Sequence, residues 1–196
     1  AQMKAHGVDA YIVPTSDFHE TEYVCDHFKA REYMSGFTGS AGTCVFTADA
    51  AKLWTDGRYF IQAAKQLEGS GIELMRMGDE GVPTIEAYLC DVLPAHATLG
   101  FDGRVMNTAM VERLCAQLSE VTISCDMDLV GAIWHDRPAL PASKTFELAQ
   151  RYTGKSAAQK LSEVREAMAE AGADIHIITR VDDIAWLLNM RADDIP

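Results

Sequence analysis

Two stretches of this chain carry the same pattern 165 positions apart, and that repeat narrows the possible folds more than any other feature. Residues 3–13 read M-K-A-H-G-V-D-A-Y-I-V and residues 168–178 read M-A-E-A-G-A-D-I-H-I-I. Both fit M-x-x-x-G-x-D-x-x-I followed by a β-branched residue. Each reads as the end of a helix, a glycine that stops it, and a buried strand. Two such joints predict two related α/β domains. A pattern present at two points is not a solenoid, which needs at least three copies.

Between the joints, strands alternate with helices. The apolar run 10–14 predicts a strand that Pro14 stops, and the polar stretch 15–23 predicts a loop or short edge strand. A helix is expected over 27–34, ending near Gly36. Runs 43–47 and 52–55 predict a hairpin. A helix over 57–67, a strand over 72–76, and a helix from Pro83 to about Leu93 follow. A strand over 98–101, a helix over 107–118 capped by Asn107, and a strand over 121–125 complete the series. The fold class is therefore α/β, a mixed sheet flanked by helices, because the hairpin prevents a purely parallel sheet.

The texture changes after residue 128. Arg137-Pro138-Ala139-Leu140-Pro141 is too proline-rich for regular structure. The expected division is a first domain at 1–128, a linker at 129–143, and the first part of a second domain at 144–196. In that second part, Leu161, Val164 and Met168 mark an amphipathic helix over 156–171, which Gly172 ends. A strand over 175–179 and a helix over 183–190 are expected next. One strand cannot make a sheet, so the second domain is expected to be incomplete.

The charge balance limits the partners. Lys and Arg number 17 against 29 Asp and Glu, a net charge of −12. An acidic surface of this size argues against nucleic acid and against an anionic membrane. No apolar run reaches the ~18 residues of a membrane span, and no basic segment followed by an apolar one marks a leader. Cys25, Cys44, Cys90, Cys115 and Cys125 lack C-x-x-C spacing. They read as reduced, partly buried thiols of a cytosolic protein rather than a zinc or disulfide framework.

Few residues carry the marks of chemistry. Six histidines are scattered, and no H-E-x-x-H is present. His19, Glu20 and Glu22 share an acidic loop that reads as solvated, with a weak cation site as the alternative. His176 stands alone on its expected strand. The run 35–43, S-G-F-T-G-S-A-G-T, lacks the Lys and Ser/Thr ending of a phosphate loop. Its glycines serve either a structural turn or the lining of a cleft. The densest segment is Trp54-Thr55-Asp56-Gly57-Arg58-Tyr59-Phe60. There a strand ends, Asp56 is placed to cap a helix, and Arg58 opens that helix at a strand-to-helix junction where α/β proteins bind ligands. The guanidinium of Arg58 suits a carboxylate or a peptide carbonyl, or else a structural ion pair with Asp56 or another acid. No G-x-S-x-G nucleophile motif is present.

Several of these segments together resemble the three-domain Xaa-Pro aminopeptidases (aminopeptidase P). Glu22-Tyr23 is similar to the family's S-E-Y-I, residues 35–43 to S-G-F-x-G-S-A-G-T, and residues 54–60 to W-T-D-G-R-Y-F, with Gln62-Ala63 after it. Trp134 and Asp136-Arg137-Pro138 resemble I-W-x-D-R-P, and Tyr152-Thr153-Gly154 resembles Y-x-G. Residues 183–191 resemble D-E-I-A-W-L-x-N-L-R, with departures at Asp183 and Met190. The resemblance implies two creatinase N-terminal-type domains with RNase H-like mixed sheets, ahead of a pita-bread catalytic domain. That third domain would carry two metal ions, commonly Mn(II), held by two Asp, one His and two Glu. It would remove the first residue from peptides with proline in second position.

None of those ligands maps onto this chain, so no catalytic or metal-binding residue is expected in it. Arg58 alone is carried over, as a substrate-binding residue. The resemblance further implies a cytoplasmic homodimer in which this portion shapes the cleft and the subunit contacts without catalysing. Two alternatives remain open at this point: a stand-alone interaction module, and a fragment of a prolidase or creatinase relative.

Overall fold

Gly7 sets the entry to the first sheet. The helix α1, Gln2–Ala5, ends with Gly7 at φ 64°. The Val8 amide donates to the Met3 carbonyl at 2.9 Å and the Gly7 amide to Lys4 at 3.3 Å. These two bonds satisfy carbonyls that the helix end would leave open. The chain then enters β1, Ala10–Pro14. Asp9 fixes that entry, since its carboxylate accepts from the Thr98 amide at 2.8 Å and its own amide donates to the Thr98 carbonyl at 2.9 Å.

The computed structural model describes residues 1–193, and two units follow each other, Ala1–Ala139 and then the chain from Leu140. In the first unit β1 is followed by α2 (Ala30–Ser35), β2 (Thr43–Thr47), β3 (Ala51–Thr55), α3 (Phe60–Gln66) and β4 (Glu73–Arg76). Then come α4 (Ile85–Val92), β5 (Thr98–Phe101), α5 (Thr108–Gln117) and β6 (Thr122–Ser124). The sheet order is β4-β3-β2-β1-β5-β6. The hairpin strand β2 is antiparallel to β1 and β3, while the pairs β1–β5, β3–β4 and β5–β6 are parallel.

Alternation along the strands builds two apolar layers. Ala10, Ile12, Val45, Trp54, Leu99 and Phe101 face one side, under Tyr88 and Leu89 of α4 and Leu114 of α5. Tyr11, Val13, Cys44 and Leu53 face the other, with Phe37 and with Ala63 of α3. Burying a side chain such as Ile12 contributes roughly 1.5–3 kcal/mol. Asn107 caps α5 as expected, accepting from the Met110 amide at 3.1 Å. Pro83 stands just outside α4 rather than in its first turn, because Thr84 is the cap and accepts from the Ala87 amide. The Pro83 carbonyl instead accepts from the Trp54 indole N–H at 2.8 Å.

The stretch expected to be a linker packs on the first unit as far as Ala139. Leu129 and Val130 are buried. The Tyr11 hydroxyl donates to the Met127 carbonyl and accepts from the Leu129 amide. Trp134 stacks on Tyr33 with ring centroids 4.6 Å apart. Arg137 joins Asp128 at 2.6 Å and donates to the His27 carbonyl. Proline excludes regular structure here, but it does not exclude packing.

The second unit contains β7 (Phe146–Glu147), α6 (Gln150–Thr153), α7 (Ala157–Glu170), α8 (Val181–Leu188) and β8 (Met190–Arg191). Ser156 and Gln159 form a capping box at the start of α7. The expected strand over 175–179 is not formed: Ile175 and Ile177 are each 79% exposed. A strand needs a partner for its amides and carbonyls, and the two-stranded ribbon of this unit is closed by β7 and β8 on each other. That ribbon had no sequence signal, because each strand is two residues long. Lys160 is buried in this unit, donating to the Trp186 carbonyl and to Asn189 Oδ1, both at 2.8 Å.

Candidate functional site

The carboxyl ends of β1 and β3 and the start of the antiparallel β2 meet at one end of the sheet's strands. Three loops therefore converge there: 15–23 after β1, 36–42 before β2, and 56–59 after β3. Backbone and hydroxyl groups tie them together. Thr15 donates to the Gly42 carbonyl from both its amide and its hydroxyl, each at 2.9 Å. The Thr55 hydroxyl donates to Ala41 at 2.6 Å. Gly39 is required where it sits, since a Cβ would overlap the Phe37 ring and lie 2.7 Å from Tyr59 Cδ1.

Arg58 stands at this end of the strands and is 60% exposed. Its Nε and Nη2 donate to the two carboxylate oxygens of Asp56 at 2.9 Å, and its amide donates to the same carboxylate at 3.0 Å. That turn occupies Asp56, so Asp56 does not cap α3, which starts later, at Phe60. The Arg58 guanidinium hydrogen bond holds the Asp56 carboxyl below the usual carboxylate range, and Asp56 in turn raises Arg58 above the usual guanidinium range. Glu22 Oε1 lies 3.5 Å from Arg58 Nη1 and accepts from Ser40 Oγ at 3.2 Å. Ser40 Oγ is 2.7 Å from the Tyr59 hydroxyl. The result is an exposed chain of polar groups, Tyr59–Ser40–Glu22–Arg58–Asp56, drawn from all three loops. It offers donors and acceptors to a polar ligand, and a guanidinium whose pairing already fixes its plane.

A cleft of about 460 Å³ adjoins this end. Asp56, Trp54 and Met110 line it, as do Glu86 and Arg113, which pair with each other at 3.1 Å. The first loop is held by Asp17, whose carboxylate accepts from the Thr21 hydroxyl and from the amides of His19 and Thr21. Burial alone would raise Asp17, but those three hydrogen bonds outweigh it and hold the carboxyl low.

The other sequence candidates are placed apart from this cluster. Glu20 Oε1 accepts from the Asn107 side chain at 2.5 Å, and His176 is exposed in the second unit. Among the described residues no three His, Cys, Asp or Glu side chains are grouped to hold a metal ion. These residues therefore do not fit the dinuclear centre that the resemblance assigns to a further domain. Cys44 is buried and its thiol is pushed up to about 12 by that burial, which leaves it without nucleophilic thiolate at neutral pH. The remaining thiols are unpaired, with Cys90, Cys115 and Cys125 exposed. Sequence reasoning missed Arg31, a buried arginine beneath the glycine loop. Nothing in the spacing around it signals that its side chain turns inward.

Residues 1–130 and 136–196 each match a Creatinase/Prolidase N-terminal domain. The chain is 41% identical to Aminopeptidase P2 of Arabidopsis thaliana over 97% of its own length and 27% of that protein. It is 39% identical to Xaa-Pro aminopeptidase 1 of Dictyostelium discoideum, over 98% of this chain and 32% of that one. The crystal structure of X-prolyl aminopeptidase from Caenorhabditis elegans, described as a cytosolic enzyme with a di-nuclear active site, superposes with a TM-score of 0.84 at 33% identity. That match covers 96% of this chain and 31% of the other. The chain thus spans about a third or less of the length of these relatives. Among the described residues no helix is long and apolar enough to cross a membrane. In sequence and in fold the chain belongs to the creatinase/prolidase N-terminal family, in the form found in Xaa-Pro aminopeptidases.

Proposed function

We propose that this chain is the N-terminal, non-catalytic portion of a metallo-aminopeptidase that removes the first residue from peptides with proline in second position. The observation that carries this reading is an asymmetry of coverage. Nearly all of this chain matches Xaa-Pro aminopeptidases, while the match takes up 27–32% of their length. The resemblance places the ligand set of two Asp, one His and two Glu in a further domain, so the metal chemistry would fall to that domain. Two Mn(II) ions there would supply the activated water. The enzyme would be cytoplasmic and dimeric.

Within that enzyme the first unit contributes shape and polarity to the substrate cleft. Arg58, exposed and held flat by Asp56, donates to a peptide carbonyl or terminal carboxylate. Glu22 and Ser40 border the same position.

The test compares this chain, the longer natural chain, and the Arg58→Ala variant of the longer chain on an Xaa-Pro peptide with added Mn(II). This chain alone is expected to show no turnover, and the longer chain to be active. Arg58→Ala is expected to lower kcat/KM by about tenfold without a change in thermal unfolding. Turnover by this chain alone, or an inactive longer chain, would remove the reading. Undiminished activity in Arg58→Ala would make that residue structural.

A further inference from the structure

We infer that Arg31 is a positioning residue for the loop cluster that carries Arg58, an inference that rests on the substrate-facing reading of that cluster. Arg31 is 4% exposed, and no carboxylate pairs with it among the described residues. Its partners are all neutral. Nε donates to Thr15 Oγ1 at 2.9 Å, Nη1 to the Phe37 carbonyl and Nη2 to the Gly39 carbonyl, and the guanidinium lies 4.6 Å from the Phe37 ring centroid. Burying a charge without a counter-ion costs several kcal/mol, and an apolar side chain would fill this space at lower cost. Packing alone therefore does not account for a guanidinium at this position.

What the charge does is visible in its acceptors. Two of them belong to the glycine loop, and the third, Thr15, holds the Gly42 carbonyl at the other end of that loop. Arg31 thus clamps the loop from 37 to 42 against β1 through one planar group. Between the clamped points lies Ser40, whose hydroxyl reaches Tyr59 at 2.7 Å and Glu22 at 3.2 Å. Glu22 lies beside Arg58. Gly39 rests against the Phe37 and Tyr59 rings with no room for a Cβ, so a displaced loop also displaces Tyr59. Arg31 touches none of the exposed groups itself. It acts on them through Phe37, Gly39 and Ser40. A lysine keeps the charge but has no fork that reaches both carbonyls and Thr15 at once.

The experiment uses Arg31→Lys and Arg58→Ala, singly and together, in the longer enzyme, and amide hydrogen exchange of Arg31→Lys in this chain. Arg31→Lys is expected to raise KM for an Xaa-Pro peptide by about tenfold, with kcat within about twofold. The double variant is expected to be no worse than Arg58→Ala alone, because both changes act on one cluster. The amides of Thr38 and Thr15, which donate to Gln66 Oε1 and to the Gly42 carbonyl, should exchange faster while those of β1 and β5 keep their protection. Should Arg58→Ala raise KM and Arg31→Lys leave it unchanged, or should the two effects add, the positioning role is wrong while the reading of Arg58 stands. Should Arg58→Ala prove inert, that reading falls, and the exchange measurement still decides on Arg31. Unchanged exchange at Thr38 and Thr15 would overturn the clamp, and faster exchange there would support it.

Discussion

Gly7 and Gly172 end their helices in the same way and lead to opposite outcomes. Each has positive φ, 64° and 65°. Val8 donates to Met3 at 2.9 Å, and Ala173 donates to Met168 at 2.9 Å. Gly7 donates to Lys4, and Gly172 donates to Ala169. The two joints are one local motif written twice. After the first, β1 pairs with β2 on one side and β5 on the other, and Ile12 is 1% exposed. After the second, the equivalent segment pairs with nothing among the described residues, and Ile177, in the position equivalent to Ile12, is 79% exposed. Local sequence decides the turn. Whether the next residues become a strand is decided by neighbours that lie far away in the chain.

The largest expected effect comes from trading the two isoleucines. Ile12→Ala removes buried apolar contact in the middle of a six-stranded sheet and should cost about 3 kcal/mol. Ile177→Ala in this chain should change stability by no more than about 0.5 kcal/mol. Urea unfolding followed by circular dichroism reads both. In the longer chain of the proposed enzyme, if further strands flank 175–179, the cost of Ile177→Ala should rise toward that of Ile12→Ala. Equal costs in this chain would show that Ile177 is already covered and would dissolve the contrast.

The same logic explains what could be read from the sequence. Strands 10–14, 43–47 and 98–101 were legible to the residue, because their β-branched and apolar runs are bounded by Gly, Pro or Asp and their partners lie within the first unit. The stretch 175–179 has the same local signal, but it has no partner among the described residues. β7 and β8 exist only by pairing with each other, so no run of residues announces them. Of the site, the segment around Arg58 stands out through its residue types, and the pair with Asp56 is the structural ion pair that those residue types offer as the alternative to ligand binding. The clamp under the loop was not legible. Arg31 sits in a polar stretch of helix, and its inward turn depends on the Phe37 and Gly39 carbonyls, whose direction only the folded loop sets.

A second way to separate the units uses acid. Asp128 is partly buried, which would raise it. The Gly131 amide, Arg137 and Arg104 outweigh that burial and hold it below the usual carboxylate range. A carboxyl with a folded pKa below its unfolded value contributes stability above the unfolded value and loses it as pH falls through the folded one. The first unit should therefore weaken as pH drops below about 4, the usual aspartate range. In the second unit the Lys155–Glu163 pair is exposed on both sides and contributes little. Asp128→Asn should cost about 2 kcal/mol at neutral pH, because it leaves Arg137 poorly paired. It should also flatten the acid slope of the first unit and leave the second unit's transition in place. A second unit that lost stability in step with the first would mean that the two are energetically one body.

The smallest effects should be the ones that do not distinguish the units. Thr84 caps α4 in the first unit by accepting from Ala87, and Ser156 caps α7 in the second by accepting from Gln159. A cap is satisfied by its own next turn, so it needs no distant partner. Thr84→Ala and Ser156→Ala should each cost about 1 kcal/mol, seen in the transition of the unit that carries the change. Equal costs would place capping with the glycine turns, among the features that local sequence fixes in both units. A negligible cost for Ser156→Ala alone would mean that α7 itself depends on neighbours as the 175–179 segment does. The division between local and long-range structure would then fall before α7, not after Gly172.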